Sequence, residues 1–168
     1  MVDITLSLIL IIPLYFDIKH GIIPNYFIGG LMLAGLLINI YQSGLAGILT
    51  SSLGFVVGLL LFLIPFILRG LGAGDVKLVA AIGAVKGARF IFVNALVVAI
   101  VGGLISVLLL IKENRLGKIT QLINKFIYRM PLDNLEEQGD GVSFPYGVAI
   151  VIGTWSSLLL KVLNLWPV

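Results

Sequence analysis

The chain has no cysteine anywhere in its 168 residues. That excludes disulfides and thiolate metal sites, and it leaves the redox compartment unreadable. Its single histidine, His20, excludes a metal centre built on several imidazoles. Charge is scarce as well: Lys, Arg, Asp and Glu make up 11% of residues, against about 25% in an ordinary soluble domain. A net charge of +3 bears on membrane orientation rather than on nucleic acid, so no nucleic-acid partner is expected. The opening "MVDITLSLILIIPLYFD" lacks a basic n-region and reads as a membrane helix, not as a cleavable signal. What is abundant is apolar surface, with 60% hydrophobic residues. A water-soluble domain of this size could not hide so much of it. The chain therefore belongs in a bilayer.

A helix crosses the hydrocarbon core with about 20 mostly apolar residues. Six segments approach this: Val2–Phe16, Tyr26–Tyr41, Leu45–Leu68, Asp75–Val85, Phe90–Ile111 and Phe144–Trp166. The runs are continuously apolar rather than alternating, which indicates helices and not a barrel. The expected fold is thus an all-α membrane protein of six transmembrane helices in a single domain, 1–168. The fourth segment is short and crosses only if it runs past Lys86 or is re-entrant.

Between the fifth and sixth segments lies a long connection, Lys112 to Val142. In "RLGKITQLINKFIYRM" the apolar residues from Leu116 to Met130 recur at helical spacing, which predicts an amphipathic interfacial helix. "PLDNLEEQGDG" after it reads as a loop. With the N-terminus outside, this basic connection joins Lys19, Arg69 and Lys77 on the cytoplasmic side, leaving Lys86, Arg89 and Lys161 outside. The Lys86–Arg89 pair runs against that orientation.

The acids are more selective. Six of the eight sit at the extreme N-terminus or in the long connection. Asp17 closes the first segment and Asp75 opens the fourth, both at the cytoplasmic boundary in this topology. Taken singly, Asp75 reads as an N-cap and Asp17 as a polar helix end paired with Lys19 or His20. Taken together, two carboxylates in a partly dehydrated site do not both ionise, and one keeps its proton near neutral pH. One then activates water while the other polarises a carbonyl. Gly70, Gly72 and Gly74, just before Asp75, either break the chain between helices or provide close backbone approach and unusual dihedrals beside the acid.

"GAGD" at Gly72–Asp75, followed by "VKL", resembles the GxGD signature of the type IV prepilin peptidases and the related preflagellin peptidases. "DIKHGIIPN", Asp17 to Asn25, is similar to that family's aspartate, short basic stretch and Ile-Pro-Asn before the second helix. "FPYG", Phe144–Gly147, resembles its proline-glycine element, without the second proline often found after the glycine.

The resemblance implies a membrane aspartyl endopeptidase that removes the short basic leader from prepilins or pseudopilins at the cytoplasmic face of the inner membrane. It makes Asp17 and Asp75 the catalytic pair. Gly72 and Gly74 would shape the approach to Asp75, Pro24 and Asn25 the turn beside Asp17, and Lys77 would position the acid. Pro145 and Gly147 complete the implied site. No metal or cofactor is implied, and the oligomeric state is not. The expected type is a minimal peptidase without the cysteine-bearing N-terminal extension of larger members. Two other readings are a small proton-coupled transporter using Asp17 and Asp75 as proton carriers, and a non-enzymatic scaffold.

Overall fold

The computed structural model describes residues 2–68, 70–112 and 146–165. They form seven helices: α1 (Val2–Ile9), α2 (Ile11–His20), α3 (Asn25–Ser43), α4 (Leu45–Ile67), α5 (Ala73–Lys86), α6 (Ala88–Lys112) and α7 (Tyr146–Val162). No strand occurs among the described residues. The chain divides into two compact units, residues 1–102 with 145–168, and residues 103–144. Of the second unit, the described part is the end of α6. The expected interfacial helix at 116–130, the loop after it, and Pro145 lie outside the described residues.

Three helices are long and apolar enough to cross a membrane: Asn25–Ser43, Leu45–Ile67 and Ala88–Leu109. Their large apolar side chains face outward, as at Leu49, Leu60 and Ile64 of α4 and Leu96 and Ile100 of α6. Such an exterior suits lipid and not water. The described residues are all-helical and those of a membrane protein; among them three helices have full spanning length, and the expected count of six is not reached there.

The shorter helices differ from expectation for local reasons. Val2–Phe16 becomes two helices because Pro13 has no N–H to give the carbonyl of Ile9, where α1 ends. Leu10 keeps helical dihedrals, and its N–H still reaches the Leu6 carbonyl at 3.0 Å. The fourth segment does not run past Lys86, since Gly87 at φ +85° ends α5 there. At 14 residues α5 is roughly 21 Å long, shorter than a hydrocarbon core of about 30 Å. It is buried on every side from Leu78 to Val85, as a helix that is apolar all round must be.

Small residues make that burial tight. Gly47, Ser51, Gly54 and Gly58 form the buried stripe of α4. A Cβ on Gly54 would collide with the Gly83 backbone, and one on Gly58 would lie 3.0 Å from the Ala80 Cα. Small faces let helices approach closely in lipid, where packing has no hydrophobic drive. The buried C-terminus of α5 still needs partners for its last carbonyls. Asn39 of α3 donates to the carbonyls of Ala84 and Val85 at 3.0 and 3.2 Å, and the Ser51 hydroxyl donates to Ala84 at 2.9 Å. Between α6 and α7, fully buried Asn94 donates to Thr154 and accepts from Ser157. The outcome is a central α5 held end-on, with Asp75 at its first turn.

Candidate active site

Asp17 occupies the last turn of α2. The next turn ends at Gly21, whose φ of +63° only glycine adopts freely and whose N–H reaches the Asp17 carbonyl at 2.9 Å. The expected pairing of Asp17 with Lys19 or His20 is not what forms. Lys19 donates to the Tyr15 hydroxyl at 2.9 Å, and His20 lies against the Phe16 ring. Asp17 instead points inward and is 7% exposed. Backbone N–H groups of Gly147 and Val148, at the start of α7, donate to its carboxyl. Its Oδ2 is buried without a hydrogen-bond partner.

Asp75 is 8% exposed. It is the third residue of α5 and not its N-cap, a place that Gly72 takes. Its Oδ2 accepts the Gly72 N–H at 3.1 Å, the acid's half of a capping box. One helix start therefore fixes the carboxyl from behind, and Asp17 is near enough to interact with it electrostatically.

Asp17 and Asp75 line one cavity of about 320 Å³. Gly72, Gly74, Asn25 and Lys77 line it too, so six of the nine site residues expected from sequence converge. Across it, Lys77 Nζ donates to Asn25 Oδ1 at 3.1 Å and ties the start of α5 to the start of α3. Pro24 is not in the wall. It precedes α3 in extended conformation, and its carbonyl accepts the N–H groups of Phe27 and Ile28. Gly147 touches the site from behind: a Cβ there would sit 2.5 Å from Asp17 Oδ2.

The glycines before Asp75 need correction on one point. Gly70, Gly72 and Gly74 have no positive φ, so unusual dihedrals are not their reason. What they leave is space. A Cβ at Gly72 would lie 3.2 Å from Asp75 Oδ2, while one at Gly74 would meet Ile23 at an ordinary 3.5 Å. Gly21, Ile22, Ile23 and Ala73 also line the cavity, and sequence reasoning missed them. For Gly21 a signal existed, a glycine placed just after the basic last turn of a helix. Among the described residues no group of His, Asp and Glu is arranged to hold a metal ion.

No curated protein and no solved structure matches the chain. Among protein families, a match extends over residues 4–107. It takes in both acids, the Asn25–Lys77 tie and every residue that lines the cavity, and it leaves out Gly147 and Val148 behind Asp17. Those residues are described as the type IV leader peptidase family, and on a match over most of its length the chain belongs to that family.

Proposed function

We propose that this leader peptidase is an aspartic endopeptidase acting through Asp17 and Asp75 on the short basic leader of type IV prepilins or pilin-like proteins. The observation that carries the reading is the shared cavity: two nearly buried carboxyls, from helices far apart in sequence, face the same 320 Å³ space.

With one proton held between the pair, the ionised carboxyl removes a proton from water while the protonated one hydrogen-bonds the scissile carbonyl. The water oxygen bonds to the carbonyl carbon, giving a tetrahedral intermediate. That intermediate collapses with cleavage of the C–N bond, and a carboxyl gives its proton to the departing amine. The Gly72–Gly74 stretch, free of bulky side chains, leaves room for a substrate backbone beside Asp75.

The site lies where α2 ends and α5 begins, at one end of the helices. The apolar helix of a substrate would stay in lipid, with the scissile bond at the interface. Placing that end in the cytoplasm puts the basic leader where positive charge is retained. Lys86 and Lys161 at the other end share Asp3, which offsets part of the positive charge that runs against this orientation.

Co-expression with a matched prepilin, read as a mobility shift, tests the assignment. Asp17→Asn and Asp75→Asn should each lower cleavage by at least about a hundredfold while the protein still inserts and accumulates. Normal processing by both variants would overturn it.

A further inference from the structure

The end of the bundle opposite the acids carries a second charged cavity, of about 390 Å³. Lys86 from the end of α5, Arg89 from the start of α6 and Lys161 from the end of α7 line it. Asp3 is the only acid at this end among the described residues, and two of the cations share it. Lys86 is bound to Asp3 Oδ1, and Lys161 Nζ lies 3.6 Å from Asp3 Oδ2. Lys86 also lies over the Phe90 ring, 5.2 Å from its centroid, so its charge is largely met. Arg89 is exposed and has no carboxylate partner among the described residues.

Three cations thus line a cavity whose wall includes Thr50, Leu53 and Phe90, and the one carboxylate beside them is shared by two. Thr50 and Leu53 belong to the second and third turns of α4, a helix of spanning length. This places the cavity where a headgroup gives way to acyl chain. We propose that this cavity binds the phosphodiester of an anionic phospholipid, with Arg89 and Lys161 as the phosphate-binding residues. Lys86 anchors the cluster through Asp3. The apolar wall argues for lipid over a free anion, which would have no use for Leu53 and Phe90. The site is independent of the proteolytic reading, since neither catalytic carboxyl lines it.

The test uses the full chain, purified in detergent, delipidated and titrated with phosphatidylglycerol or phosphatidylcholine under native mass spectrometry. One phosphatidylglycerol should be retained in preference to phosphatidylcholine by about tenfold, because both offer the phosphodiester but the cations at the site repel the choline ammonium and favour the net negative lipid. Arg89→Gln should lose part of that preference, and R89Q/K161Q nearly all of it, with unchanged thermal melting. Lys19→Gln, at the other end, should keep it. Equal retention of the two lipids, or wild-type preference in R89Q/K161Q, would overturn the site. So would inorganic phosphate at millimolar concentration displacing phosphatidylglycerol, because the cavity would then be taking a free anion.

Discussion

Asp17 is held by contacts that no local pattern announces. Gly147 and Val148 donate to it from a helix that begins 129 positions later in the chain, and Gly147 has no room for a side chain beside its Oδ2. Gly147→Ala must therefore push the carboxyl or the start of α7 aside. Cleavage of a matched prepilin should fall at least about tenfold, since small misplacements of catalytic groups are amplified in rate, with the protein still accumulating. Wild-type cleavage by G147A would show that the contact does not position the acid. Gly74→Ala makes the complementary case, because its added methyl meets Ile23 at a normal distance. Its melting temperature should match wild type, so any loss of cleavage reports exclusion of substrate and not damage to the fold. The two acids themselves were legible, as isolated charges closing and opening apolar runs. The contact that Gly147 makes with Asp17 was not, because it joins the two ends of the chain.

At the scale of the helix, α5 illustrates how far periodicity reaches. Its apolar character and its approximate limits could be read from the sequence, and so could its insufficient length. What could not be read was that neighbouring helices, and not lipid, surround it. That depends on the small-residue stripe of α4 and on Asn39, an amide within the apolar run of α3 whose partners lie 45 and 46 positions away. Replacing Asn39 by leucine leaves the Ala84 and Val85 carbonyls with fewer donors in a buried place. Stability should fall by roughly 1–3 kcal/mol, measured by thermal or denaturant unfolding in detergent. Gly54→Ala, which forces α4 from α5 at the Gly83 backbone, should destabilise by a similar amount, about 1–3 kcal/mol. Gly30→Ala is the control: it lies in a helix with open space around its Cβ. It should be neutral or gain up to about 1 kcal/mol. Equal melting of all three variants would mean that these contacts do not hold α5.

For the first compact unit as a whole, the described charges are divided between two ends of a short central helix. One end gathers Asp17, Asp75, Asn25 and Lys77 around the cavity proposed to be the active site, and the other gathers Asp3, Lys86 and Lys161. α1 and α2 run between the same two clusters, with Asp3 at the far end and Asp17 at the near one. Between them the polar groups are neutral and paired, as Asn94 is with Thr154 and Ser157, so pairing of the described charges takes place at the ends. The absence of native cysteine makes this arrangement directly measurable. Cysteines replacing Asp17 and Asp75 should be joined efficiently by a short bis-maleimide in membranes. Cysteines replacing Asp17 and Lys86 should not, because the 11 residues from Asp75 to Lys86 rise roughly 16 Å along α5. Efficient joining of the second pair, with none of the first, would mean that α2 is inverted relative to α5. The two carboxyls would then belong to opposite faces of the membrane, and a shared catalytic proton between them would be impossible.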